Sequence, residues 1–170
     1  MIQERLAALR SRMREHHVDA YLVPTDDFHC SEYVGEYFKC RKYITGFTGS
    51  AGTAVITQEE AGLWTDGRYF IQAAKQLEDT TVTLYRMGEE GVPTIQEYLL
   101  NTLKPGQCLG FDGRTMTAAG GEELEQMLVK KQVTVSCQMD LVGEIWEDRP
   151  ALSCPVSYTH LRAHETLSDV

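Results

Sequence analysis

The chain has 170 residues, of which 42% are hydrophobic and 24% charged, with a formal net charge of −9. That balance fits one globular domain and excludes a disordered tail, a collagen and a simple coiled coil. No apolar run approaches the ~20 residues of a membrane span, the charged start is no secretory leader, and the acidic balance disfavours nucleic acid as the main partner, because phosphate contacts need clustered Lys and Arg.

Ile2, Leu6, Leu9 and Met13 recur at spacings of four, three and four, which predicts an amphipathic helix ending near His16-His17. Residues 19–24, Asp-Ala-Tyr-Leu-Val-Pro, read as a buried strand closed by proline. Residues 25–42 carry charges of both signs and several aromatics without a strict period, and read as a polar loop with a helical turn near 31–37. Residues 43–52 are a glycine-punctuated turn into a strand over 53–57, which forms a hairpin with 61–65. Asp66 precedes an apolar-periodic stretch and is the expected N-cap of a helix over 68–77. A β-branched strand over 80–86, a helix over 93–101 that opens on Pro93, a strand over 108–112, a helix over 116–131, a strand over 133–137 and a helical turn over 141–146 complete the order. Hairpin and crossover connections together imply an α/β fold, a mixed β-sheet flanked by helices.

The five cysteines, Cys30, Cys40, Cys108, Cys137 and Cys154, include no CxxC pair. An odd number without such pairs fits plain thiols in a reducing compartment better than a disulfide framework or a zinc knuckle. Cys40, between Lys39 and Arg41, is the one with cationic neighbours in sequence. The glycines of Gly46-Phe-Thr-Gly-Ser-Ala-Gly52 do not make a phosphate loop, since they lead into a strand and lack GxxxxGK[ST]. They are expected to serve tight turns and close backbone approach. His29 lies beside Asp26, Asp27 and Glu32 in sequence. Those residues read either as a metal nest or as a polar recognition loop, with salt bridges to Arg41 or Lys42. His160 and His164 stand four apart, but the HExxH order and an apolar stripe are both absent.

From Leu6 to Ser153 the chain resembles the N-terminal domain of cytosolic Xaa-Pro aminopeptidases, of the creatinase/prolidase group. The resemblance rests on Asp19-Ala-Tyr-Leu-Val-Pro24, His29-Cys-Ser-Glu-Tyr33, Arg41, Gly46-Phe-Thr-Gly-Ser-Ala-Gly-Thr53, Leu63-Trp-Thr-Asp-Gly-Arg-Tyr-Phe70, Gln72-Ala-Ala-Lys75 and Ile145-Trp-Glu-Asp-Arg-Pro-Ala-Leu-Ser153. It implies a ribonuclease-H-like domain over 1–153 and a non-family, disordered tail over 154–170. The tail is similar to read-through of a sequencing adapter, so His160 and His164 are expected to have no evolved role. The resemblance further implies a cytoplasmic, homodimeric enzyme that releases the N-terminal residue from Xaa-Pro peptides. Its two manganese ions would sit in a catalytic domain downstream of this chain.

By the same resemblance this domain is non-catalytic, holds no cofactor, aids assembly and borders the substrate cleft. His29, Glu32, Tyr33, Arg41, Asp66 and Arg68 are the candidates for that border. Structural roles compete with this for Asp66 (a cap), Arg68 (its ion-pair partner) and Trp64 (core). A free-standing peptide- or protein-binding module without hydrolase activity remains the alternative.

Overall fold

The computed structural model of the protein describes residues 1–31 and 33–152. Glu32, the expected boundary at Ser153, Cys154 and the His160/His164 pair lie outside the described residues. Fourteen residues, Ile2–Glu15, form the first helix, α1, whose stripe of Leu6, Leu9 and Met13 is fully buried. The strand β1 (Ala20–Val23) follows and is buried along its whole length. A single 3-10 turn at Glu36–Phe38 and a six-residue helix α2 (Cys40–Thr45) then lead to the hairpin of β2 (Thr53–Thr57) and β3 (Ala61–Thr65).

The rest of the chain alternates. It runs through α3 (Phe70–Leu77), β4 (Thr83–Arg86), α4 (Ile95–Thr102), β5 (Cys108–Phe111), a 3-10 turn at Gly113–Thr115, α5 (Ala118–Val129), β6 (Thr134–Ser136) and α6 (Leu141–Ile145). Two helix starts follow from local chemistry. Thr94 accepts the Glu97 N–H while Glu97 reaches back to the Thr94 N–H, a reciprocal capping box. The Thr117 hydroxyl accepts the Gly120 N–H at the start of α5.

The six strands form one mixed sheet in the order β4-β3-β2-β1-β5-β6. Pairs β1–β2 and β2–β3 are antiparallel, whereas β1–β5, β3–β4 and β5–β6 are parallel. Five strands therefore point one way and β2 alone points back. Alternation along β1 divides the core between the two faces. Tyr21 and Val23 join α1, α2, α3 and α6 in one apolar cluster, through residues such as Leu9, Ile44, Leu77 and Leu141. Ala20 and Leu22 join α4 and α5 in the other, with Leu99, Leu109, Leu124 and Leu128. The expected helix-flanked mixed sheet is what the chain builds.

Two local expectations need correction. The end of the segment read as a polar loop and the start of the one read as a turn together form α2, whose Cys40, Arg41, Ile44 and Thr45 are all buried. Six residues are too few to display a helical period, and the packing of Ile44 and Cys40 onto α1 and β2 supplies what propensity does not. The helix ends on Gly46 at φ +79°, a left-handed cap that a residue with a Cβ adopts only under strain. Asp66 is not the N-cap of α3 either. The chain first makes a turn, in which the Tyr69 N–H donates to the Asp66 carbonyl, and the helix starts at Phe70 with Tyr69 at the cap position.

Candidate functional site at the carboxyl edge of the sheet

Because β1, β3, β4, β5 and β6 run in one direction, their carboxyl ends share one edge with the amino end of β2. The segments that leave or enter the strands there carry nearly all the chemistry-bearing residues. They are 24–39 after β1, 46–52 before β2, 66–69 after β3, 87–94 after β4, 112–117 after β5 and 137–140 after β6. Open α/β sheets hold ligands in the crevice outside the strand carboxyl ends, where the strand order reverses. Here the order reverses between β1 and β5, since the chain leaves β1 toward β2 and leaves β5 toward β6.

That crevice is filled. The Arg114 guanidinium forks onto the Asp112 carboxylate, with Nε to Oδ1 at 3.0 Å and Nη2 to Oδ2 at 2.8 Å, and also donates to Asp140 Oδ2 at 2.6 Å. From the other side Arg149 pairs with the same Asp140 oxygen, donates from Nε to the Tyr37 carbonyl at 2.8 Å and stacks 3.7 Å over the Tyr37 ring. Arg114 Nη1 donates to the Tyr37 hydroxyl at 3.1 Å. The hydrogen bonds it donates to Asp112 hold the Arg114 guanidinium more firmly charged than usual. Between Tyr21, Cys40, Asp112 and Asp140 only about 10 Å³ stays open, less than a small-molecule ligand needs. Burial pushes the Cys40 thiol up to about 12, so the cysteine with cationic sequence neighbours is an inert, protonated thiol.

The sequence-derived candidates divide three ways. His29 and Tyr33 are exposed, Tyr33 by 84%, with His29 packed edge-on against Phe28 at 4.3 Å. Asp66 and Arg68 form an exposed bidentate pair, Nε to Oδ1 and Nη2 to Oδ2 both at 2.9 Å, and this pairing holds the Asp66 carboxyl below its ordinary value. Arg68 is thus the expected partner of Asp66, although Asp66 is not a helix cap. Trp64 is core, stacked on Tyr85 at 4.0 Å with its indole N–H donated to the Pro93 carbonyl at 2.8 Å.

Arg41 departs from the expectation of a residue on a polar loop. It is 4% exposed, on α2, and its guanidinium stitches three segments together. Nε donates to Thr25 Oγ1 at 2.6 Å, Nη1 to the Phe47 carbonyl at 3.2 Å and Nη2 to the Gly49 carbonyl. A Cβ on Gly49 would stand 2.3 Å from the Phe47 ring and 2.8 Å from that of Tyr69, so the glycine permits this close approach.

The salt bridges expected from Asp26 and Asp27 to Arg41 or Lys42 do not form. Asp27 instead accepts the backbone N–H groups of His29 and Ser31. Its burial raises the carboxyl pKa, but the backbone donors of His29 and Ser31, with the Ser31 hydroxyl and the His29 ring, together hold the group below the ordinary range. Among the described residues no three of His, Cys, Asp or Glu converge to hold a metal ion, and Glu32, the further member of the nest read from the sequence, lies outside them.

The described residues leave at least two openings at this edge. A groove of about 420 Å³ between α4 and α5 is lined mainly by apolar residues such as Met87, Val92, Ile95, Met116 and Met127. A smaller pocket of about 200 Å³ has Arg41 and Thr25 in its wall, with Lys39, Lys42, Ser50 and Phe38 around it.

The Creatinase/Prolidase N-terminal domain profile matches residues 5–142, most of the chain. The chain belongs to that family. It is 44% identical over 152 residues to Aminopeptidase P2 of Arabidopsis thaliana, covering 87% of this chain and 21% of the relative. It is 47% identical over 150 residues to a probable Xaa-Pro aminopeptidase P of Talaromyces marneffei, covering 87% and 23%. The chain therefore spans less than a quarter of these curated relatives. Its fold matches the X-prolyl aminopeptidase of Caenorhabditis elegans, described as a cytosolic enzyme with a di-nuclear active site, at TM-score 0.83 and 36% identity, over 90% of this chain and 26% of that one. The N-terminal domain of the cytoplasmic peptidase PepQ from Mycobacterium tuberculosis matches at TM-score 0.59 and 25% identity, over 84% of this chain and 98% of that domain. Sequence reasoning named this family from its motifs. It missed Tyr37, Asp112, Arg114 and Asp140 of the filled crevice, and it read Arg149 only as part of a motif.

Proposed function

We propose that this chain is the non-catalytic N-terminal domain of a metal-dependent Xaa-Pro aminopeptidase, one that releases the N-terminal residue from peptides with proline second. The observation that carries this reading is the 44–47% identity to enzymes of that name across 87% of the chain, which spans only 21–23% of their length. The filled crevice between β1 and β5 fits it, because the site where an α/β sheet would hold its own substrate is closed by Arg114, Asp140 and Arg149. The metal pair, manganese in this reading, belongs to the downstream catalytic part, and no residue of this chain is assigned to it. The complete enzyme is a cytoplasmic homodimer. Within it the carboxyl edge of this sheet borders the substrate cleft, with His29, Glu32, Tyr33, Asp66 and Arg68 on the border and Arg41 holding the loops beneath them. The test is direct. The purified 170-residue chain should hydrolyse no Xaa-Pro peptide with or without manganese, and metal-dependent turnover that persists through extensive purification would overturn the reading.

A further inference from the structure

The pocket beside Arg41 is basic in a chain of net charge −9. Its lining brings together Lys39, Arg41 and Lys42 with the hydroxyl-bearing Thr25, Thr48 and Ser50, and no described carboxylate lines it. Lys39 is paired with Glu36, whose carboxylate also feels the Lys42 charge, whereas no described carboxylate forms an ion pair with Arg41. Arg41 is the unusual member. A buried cation is normally balanced by a buried anion, because desolvation costs several kcal/mol per ion (an effective penalty of roughly that order). Here the described residues give the guanidinium a hydroxyl, two carbonyls and the face of the Phe47 ring at 4.6 Å, none of them charged. Burial without a counter-charge lowers its pKa to about 10. Val34 and Phe38 add an apolar wall to the same pocket.

We propose that this pocket is a binding site for a small carboxylate, of amino-acid size, with an apolar body. The carboxylate faces the Arg41 guanidinium and the ammonium of Lys42, and the apolar body lies against Val34 and Phe38. A planar carboxylate matches the guanidinium fork, and the apolar wall favours an organic acid over an inorganic anion.

The probe is N-acetyl-leucine, titrated into the 170-residue chain at constant ionic strength and followed through the backbone amide resonances of Thr48, Gly49 and Ser50. N-acetyl-leucinamide, inorganic phosphate and chloride serve as parallel titrants. Saturable shifts confined to this pocket are expected for the acid, with at least tenfold weaker binding of the amide and of phosphate. Lys42→Gln, at an exposed position, should weaken the acid at least threefold without altering the melting temperature, and Arg41→Met should abolish binding. If Arg41→Met fails to fold, the Lys42→Gln result decides. Equal binding of acid and amide, tighter binding of phosphate, or shifts matched by chloride would overturn the proposal. So would binding that appears only after Glu32→Gln, which would show that the chain's own carboxylate takes the seat.

Discussion

Replacing Arg149 by methionine tests whether the filled crevice holds the carboxyl edge together. The side chain is 9% exposed and makes an ion pair with Asp140 (22% exposed), a hydrogen bond of 2.8 Å to the Tyr37 carbonyl and a ring contact to Tyr37. Methionine keeps much of the stem volume, so the loss is electrostatic rather than a cavity. A charge-assisted hydrogen bond is worth ~1.5–3 kcal/mol, and removing one partner of a buried pair costs ~3–5 kcal/mol. The second figure is reduced here because Asp140 keeps the Arg114 Nη2 at 2.6 Å and the Gly143 N–H at 2.8 Å. A net loss of about 2–4 kcal/mol follows, which at ~2–4 °C per kcal/mol for this length lowers Tm by roughly 5–15 °C. Urea unfolding and calorimetry read it. Arg114→Met should cost less, since that side chain is 42% exposed. The two should couple through Asp140 by ~1 kcal/mol or more in a double-mutant cycle. Arg149→Met within ~0.5 kcal/mol of the parent, the range of an ordinary surface substitution, would refute the argument.

Three further outcomes are expected. Trp64→Ala should cost ~3–5 kcal/mol in urea unfolding, because it removes a fully buried ring stacked on Tyr85 and frees the Pro93 carbonyl. Asp66→Ala should leave Tm within a degree or so by calorimetry, as expected for an exposed ion pair outside the helix cap. Cys40, raised from an ordinary 9.0 to about 12, should resist iodoacetamide at pH 8 in the folded state while exposed Cys30 and Cys137 react. Since its folded value is the higher one, the folded chain binds more protons between pH 9 and 12. Its contribution is then whole below pH 9 and falls by at most ~1.4 kcal/mol per pH unit above it. The stability gap between the parent and Cys40→Ala should narrow accordingly.

The elements legible in the sequence are those with a period or a cap in the local chain. The α1 stripe, the two hairpin strands and the helices read over 93–101 and 116–131 lie where pattern reading places a helix or strand to within about two residues. What stayed hidden depends on distance along the chain. Arg114 meets Tyr37 across 77 residues and Arg149 meets Tyr37 across 112, so no local signal marks them as one network. Arg41 looked like a surface cation because it sits in a polar stretch. Only the return of Phe47 and Gly49 over α2 buries it. Asp66 shows the opposite error, since an acid before an apolar stretch reads as a cap, yet its carboxylate serves Arg68 two residues on.

The central claim, a non-catalytic domain that completes an Xaa-Pro aminopeptidase, is tested most directly by supplying what the chain does not span. Residues 1–152 are grafted in place of the matching segment of the Caenorhabditis elegans enzyme, to which this chain is 36% identical. The folded chimera, loaded with manganese, is assayed on an Xaa-Pro peptide beside the chain alone. The account predicts metal-dependent cleavage by the chimera and none by the chain, with His29→Ala and Tyr33→Ala raising KM while leaving Tm unchanged. A folded, metal-loaded chimera without activity, or turnover by the chain alone, would contradict it.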